Sequence, residues 1–301
     1  MVNLKPAIIN ALQLKELSEK NIHADVLRLD KIHDVISGNK WFKLKYYLED
    51  ALKSNCKTIL TFGGAYSNHI IATACAAKMN GLKSIGFIRG EQPAELSHTL
   101  LQAKTYDMQL EFVSREIYKR KNEEDFINEL KKKYNSIYII PAGGEGTLGV
   151  KGSGEILDCL EKNDYTHILC AVGTGTMFAG IVNKSLPHQK ITGICVLKGM
   201  KSITEEISQY IFDQNKISDC EINHDYHFGG YAKKNDTLIK FMNNFFAQTK
   251  IPSDFVYTGK LFYAMNDLVQ KNHFSSGSKL LIIHSGGLQG NLSLPSGIIS
   301  F

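Results

Sequence analysis

Between residues 56 and 199 the chain repeats one pattern: a short apolar run rich in β-branched residues, then a stretch with helical spacing. The runs are "KTILTF" (57–62), "KSIGFIRG" (83–90), "QLEFVSR" (109–115), "SIYIIPAGG" (136–144), "THILCAVGTGT" (166–176) and "ITGICVLKG" (191–199). Helical patterns follow as "NHIIATACAAKMN", "AELSHTLLQAKTY", "EIYKRKNEEDFINELKKKY", "GVKGSGEILDCLEK" and "MFAGIVNKSL". Runs that are apolar almost throughout, rather than alternating, belong to strands covered on both faces, and parallel neighbours need a helical crossover. The pattern therefore predicts an α/β fold of open, twisted, mainly parallel sheets flanked by helices.

With 301 residues the chain is long enough for two domains. No Pro- or Ser-rich linker divides them, so the Gly-rich "PAGGEGTLGVKGSG" (141–154) and the segment after Lys40 are the expected crossings. That gives a smaller α/β domain over 46–150, inserted in a larger one made of 1–45 and 151–301. The net charge of +5 is spread along the chain, and its dense basic spots, "KRK" (119–121) and "KKK" (131–133), lie in an acid-rich segment that reads as an exposed helix. A solvated face, not a nucleic-acid footprint, follows. The six cysteines form no CxxC pair and sit mostly among apolar neighbours, as reduced core residues do, and no metal-ligand spacing is present. No apolar run is long enough for a signal peptide or a membrane span, so a cytoplasmic protein is expected.

In doubly wound sheets ligands sit beyond the carboxyl ends of strands, which directs attention to four turns. "FGGAYSNH" (62–69) offers Ser67, Asn68 and His69 at the head of a helix, where a plain helix cap is the bland alternative. "VGTGT" (172–176) supplies Gly173, Thr174, Gly175 and Thr176, whose backbone N–H groups can surround an anion at a helix N-terminus. It has neither the GxGxxG nor the GK[ST] spacing, which favours one monophosphate over a dinucleotide or nucleoside triphosphate. "HSGG" (284–287) lets backbone approach a flat ligand or another loop, with His284 read as structural. "DFVYTGK" (254–260) sets Tyr257 and Thr258 at the head of a helical run.

Ahead of all four stands "SGNKWFKLKYYL" (37–48), in which Lys40 follows a Gly-Asn turn. On a helix counted from Trp41, Lys43 and Lys45 are expected to snorkel to water while the turn aims Lys40 elsewhere. A turn-set lysine together with a phosphate-sized nest fits a phosphorylated aldehyde held as a Schiff base, and pyridoxal phosphate is the common cofactor of that kind.

These segments, in this order, resemble the D-cysteine desulfhydrase and 1-aminocyclopropane-1-carboxylate (ACC) deaminase family, over roughly residues 20–290. The resemblance implies the tryptophan-synthase-β-like architecture, fold type II, with pyridoxal phosphate between the domains, and a homodimer. It implies that Lys40 carries the cofactor and later moves the α-proton, that Asn68 bonds its phenolic oxygen, and that residues 173–176 hold its phosphate. Ser67, with Asn68 and His69 beside it, would face the substrate carboxylate; Tyr257 would be the active-site tyrosine and Tyr231 a second one on the substrate side. Two departures stand out. Phe42 replaces an arginine often found in "GNKxRK", with loss of a structural ion pair. Thr258 stands where ACC deaminases resemble one another in having Glu beside the pyridine nitrogen, so this chain is more similar to the desulfhydrase branch. The implied activity is α,β-elimination of a small D-amino acid, D-cysteine to pyruvate, ammonia and hydrogen sulfide, with ACC deamination as the alternative.

Overall fold

The computed structural model describes residues 3–301. Ten strands form two sheets: β1 (Ile8–Ala11), β2 (His23–Arg28), β3 (Thr58–Gly63), β4 (Lys83–Arg89), β5 (Met108–Val113), β6 (Ile137–Ile140), β7 (His167–Val172), β8 (Lys190–Cys195), β9 (Cys220–Asn223) and β10 (Lys279–His284). The smaller sheet runs β5-β4-β3-β6 and is parallel throughout. The larger runs β1-β2-β10-β7-β8-β9, parallel except for β1 against β2. The α/β reading with mainly parallel sheets is thus what the chain adopts.

Burial explains why the strands are apolar almost throughout. Along β7, Ile168, Cys170 and Val172 pack into one core with Phe178 and Ile181 of the helix Thr176–Lys184. Leu169 and Ala171, on the opposite face, pack with Leu261, Phe262 and Met265 of the helix Thr258–Gln270. Side chains alternate across a strand, so both sets must be apolar when helices cover both faces. Each fully buried Leu, Ile or Phe contributes about 1.5–3 kcal/mol.

Several element limits differ from the sequence-based expectation for local reasons. The charged stretch after β5 is not one helix: it breaks between Arg115–Lys119 and Glu124–Lys133. At the break Glu123 is extended, and Arg120 bonds Glu123 at 3.0 Å and Asp125 at 2.8 Å. "AELSHTLLQAKTY" becomes helical only at His98, because the Ser97 hydroxyl caps the helix by accepting from Leu100 N–H. β1 and β2 lie before the predicted alternation begins; β1 is an antiparallel edge strand whose Ile8 and Ile9 stay exposed. The helix predicted from Trp41 starts at Asn39, so Lys40 stands in its first turn rather than in the preceding loop. Among the described residues no helix is long and apolar enough to cross a membrane.

Strand order also locates the site. After β3 the chain adds β4 and β5 on one side and returns with β6 on the other; after β7 it adds β8 and β9 and returns with β10. These reversals are topological switch points, where a crevice opens beyond the carboxyl ends of the strands. The four turns there are 64–67, 141–146, 173–175 and 285–287.

Candidate active site

The four turns meet in two pairs, with the helix Asn39–Lys53 between them. A Cβ on Gly287 would lie 3.1 Å from Asn68 Nδ2, and one on Gly143 would lie 3.4 Å from Thr174 Cγ2. Gly38, at φ 68° and ψ −147°, brings in a fifth segment: Asn39 N–H donates to Ser285 O at 3.1 Å. Here the glycines of "HSGG" bring two loops together, since a Cβ on Gly286 would be 2.9 Å from Gly38 Cα. Lys40 and Asn68 line one small pocket with Val35, Ser37, Ser285, Gly287 and Gln289.

Lys40 Nζ donates to its neighbour Asn39 Oδ1 at 2.6 Å. Burial lowers its pKa to about 8, against the opposing pull of the Asp254 carboxylate. Such an amine loses its proton more readily than an ordinary lysine.

Lys43 corrects the expectation that it reaches water. It is only 6% exposed, and its Nζ donates to Thr174 Oγ1 at 3.2 Å. One helical turn separates it from Lys40, so the two amines share a face. Burial and the Lys40 charge lower its pKa to about 7. Lys45 reaches Glu155 Oε2 at 2.5 Å and remains about a third exposed. Beside Lys43, Thr174 and Thr176 share a hydrogen bond of 2.9 Å, and Gly175, with φ 77°, opens the following helix. A Cβ at Gly175 would collide with Ile207, 2.2 Å away. The result is an anion nest of backbone N–H groups and hydroxyls with an ammonium facing it.

On the other side Ser67 is a helix cap, its hydroxyl accepting from Ile70 N–H at 3.4 Å. The N–H groups of Asn68 and His69 at that helix head have no acceptor among the described residues. Asn68 Oδ1 is buried and unpartnered. His69 is 2% exposed; its Nε2 lies 2.8 Å from Thr61 Oγ1, and the Thr61 hydroxyl donates to Ile140 O. Nε2 therefore carries the proton and Nδ1 is a bare, unpartnered acceptor. Burial, with the Lys40 and Lys43 charges, lowers its pKa to about 3, so the ring is neutral.

Tyr257 caps the helix Thr258–Gln270, and a Cβ on Gly173 would lie 3.2 Å from its Cε1, which joins the tyrosine to the anion nest. Tyr231 sits edge-on to Tyr257, ring centroids 6.1 Å apart. Thr258 is fully buried and its hydroxyl is engaged: it donates to Asp254 Oδ1 at 2.7 Å and accepts from Asp254 N–H at 2.7 Å. Asp254 also accepts from the N–H groups of Val256, Tyr257 and Thr258 at 2.9 Å each. Burial pushes its carboxyl above the ordinary range while these donors pull the other way. His284 is structural, as expected: Nε2 donates to Pro252 O at 2.8 Å and Nδ1 accepts from Gly286 N–H at 3.2 Å. Its approach to Asp30, 3.4 Å, is therefore not a charged pair, and burial keeps the ring neutral. Phe42, which replaces the arginine of the resembled pattern, packs in the core of the larger sheet.

Two site residues escaped the sequence reading. Lys43 had a signal, the three-residue spacing from Lys40. Asp254 had one too, an Asp just ahead of a helical run, which is a capping position.

A two-sheet α/β fold with buried amines and a glycine- and threonine-rich turn gathered at its switch points is the architecture of an α/β enzyme. Residues 9–286 match the family described as pyridoxal-phosphate dependent enzyme, and the chain belongs to that family. It is 32% identical over 271 residues to a Pyrococcus abyssi protein named provisionally as a 1-aminocyclopropane-1-carboxylate deaminase, covering 85% of this chain and 81% of that one. It is 27% identical to the mitochondrial bifunctional D-cysteine desulfhydrase/1-aminocyclopropane-1-carboxylate deaminase of Arabidopsis thaliana, over 85% of this chain and 70% of that one. The crystal structure of an ACC deaminase homologue superposes with a TM-score of 0.80 at 28% identity, covering 95% of this chain and 91% of the other.

Pyridoxal phosphate is the cofactor of this family, and the residues present fit it. The nest with Lys43 suits its phosphate, the buried, unpartnered Asn68 Oδ1 suits a polar ring substituent, and glycine at 287 lets the backbone pass close to Asn68, where a Cβ would lie 3.1 Å from Nδ2.

Proposed function

We propose that the chain is a lyase of small D-amino acids bearing a β-leaving group, with D-cysteine first, releasing pyruvate, ammonia and hydrogen sulfide. The observation that carries this reading is Thr258: the position after Tyr257 holds a hydroxyl already bonded to Asp254, where ACC deaminases resemble one another in having Glu. ACC deamination to 2-oxobutanoate and ammonia is the second reading, favoured by the identity to the Pyrococcus relative. Residues 46–150 and the remainder of the chain are taken as the two domains, with the ligand between them. A homodimer is inferred from the resemblance, and a cytoplasmic location from the six free cysteines.

When bound, the cofactor supplies an aldehyde carbon for the amine and a ring that withdraws electrons from the substrate α-carbon. This chain's residues do the rest. Lys40, with its pKa near 8, can take the α-proton at its Nζ and return it. Burial, with Tyr231 beside it, raises the Tyr257 phenol well above its usual value, so it holds its proton and acts as a donor. The N–H groups of Asn68 and His69, which have no acceptor among the described residues, would bind the substrate carboxylate, with Ser67 next to them. Lys43, Gly173, Thr174, Gly175 and Thr176 would hold the phosphate, and Asn68 the ring oxygen. The Thr258 hydroxyl, which donates to Asp254, would offer the ring nitrogen only a neutral partner. Tyr231 closes the substrate side.

The test is sulfide and keto-acid release by purified, cofactor-loaded protein given D-cysteine, L-cysteine or ACC. Sulfide and pyruvate from D-cysteine alone are expected. Production of 2-oxobutanoate from ACC with no reaction of D-cysteine would reverse the order of the two readings.

A further inference from the structure

One buried charge belongs to no part of this chemistry. Lys260 is fully buried on an apolar helix, two residues beyond Thr258, and among the described residues its Nζ makes no salt bridge. It donates instead to two backbone carbonyls some thirty residues earlier, His227 O at 2.8 Å and Gly230 O at 2.7 Å. An ammonium taken out of water is costly unless its N–H groups are hydrogen-bonded, and here the two carbonyls receive them, so the contact ties the buried amine to that segment.

The segment it holds is conformationally strained. Phe228, Gly229, Gly230 and Ala232 all have positive φ, at 50°, 93°, 118° and 53°. Phenylalanine and alanine rarely adopt that region, so the turn needs an external restraint. Within it Gly230 N–H bonds His227 O and Lys233 N–H bonds Gly230 O, the same two carbonyls that Lys260 takes. Tyr231 lies inside the turn with its ring edge-on to Tyr257, and Tyr257 is one helical turn from Lys260.

We propose that Lys260 is a positioning residue: by tying the carbonyls of His227 and Gly230 to the first turn of the Tyr257 helix, it holds Tyr231 against Tyr257 at the substrate side. This rests on the reading of the site given above. Lys260 touches no reacting atom and acts only through Tyr231.

The experiment compares Lys260→Met, Tyr231→Ala and the double variant as cofactor-loaded proteins, together with amide exchange over 226–234. Lys260→Met is expected to raise KM about tenfold or more with kcat changed less than about threefold, and to add less than about twofold in the Tyr231→Ala background. The Gly230 and Lys233 amides are expected to exchange faster in Lys260→Met, while those of the helix Asn68–Met79 do not change. In the unmodified protein the same two amides are expected to be slowed relative to an open loop, a measurement that does not depend on a variant folding. Equal Lys260→Met effects in both backgrounds, or unprotected Gly230 and Lys233 amides in the unmodified protein, would overturn the proposal. If neither D-cysteine nor ACC reacts, the function reading fails while amide exchange still decides whether Lys260 holds the turn.

Discussion

The backbone of Gly38 lies against the carbonyl of Ser285 so closely that a Cβ at residue 38 would fall 1.9 Å from that oxygen. The contact seats the start of the Lys40 helix on the strand end of β10, and Asn39 N–H seals it. The Gly-Asn step therefore fixes where Lys40 begins, even though the helix includes Lys40 itself.

Gly38→Ala must both clash there and enter a backbone region reserved for glycine. A loss of about 1–3 kcal/mol or more is expected. Urea unfolding of the cofactor-free variant should show it, and added pyridoxal phosphate should restore less visible absorbance than in the parent.

Lys43→Met tests the paired amines. A lysine whose folded pKa is lowered from 10.5 to about 7 binds fewer protons folded than unfolded between those values, so its contribution to stability rises with pH across that window and is lost as pH falls through 7. Replacing it should stabilise the cofactor-free protein by on the order of 1–3 kcal/mol at pH 7 or below, and by little near pH 10. Affinity for pyridoxal phosphate should meanwhile fall by about ten- to a hundredfold, the loss of one charged hydrogen bond. An unchanged affinity would remove Lys43 from the phosphate site.

Thr258→Val takes a donor and an acceptor from buried Asp254, a loss on the order of 1–3 kcal/mol by urea unfolding. Thr258→Glu instead sets a second carboxylate beside Asp254. Two such groups share a proton and have raised folded pKa values, so the added stability cost should grow as pH rises from 6 to 8. A Thr258→Glu protein equally stable at both pH values would show that the new side chain points away from Asp254.

Much of this was legible beforehand. The apolar continuity of β7 and its neighbours announces burial on both faces, and the small residues after β3, β7 and β10 mark the turns that meet. The Ser67 hydroxyl caps a helix, as its place ahead of a helical run allowed, and His284 is locked by backbone groups, as a lone histidine at a strand end usually is. Lys43 was misread because lysines on amphipathic helices usually reach water, and only the fold brings the anion nest within 3.2 Å of its amine. Lys260 was not legible at all: "TGKLFYAM" carries no sign of the carbonyls that receive its charge, which come from a turn far away in the chain.

The central claim is that Lys40, and not its more deeply buried neighbour Lys43, carries the cofactor. Pyridoxal phosphate is added to cofactor-free protein, the link is reduced with borohydride, and the labelled peptide is identified by mass. The account predicts label on Lys40 and its loss in Lys40→Ala even though Lys43 remains. Label on Lys43 or Lys260 in the unmodified protein, or undiminished labelling of Lys40→Ala, would contradict it.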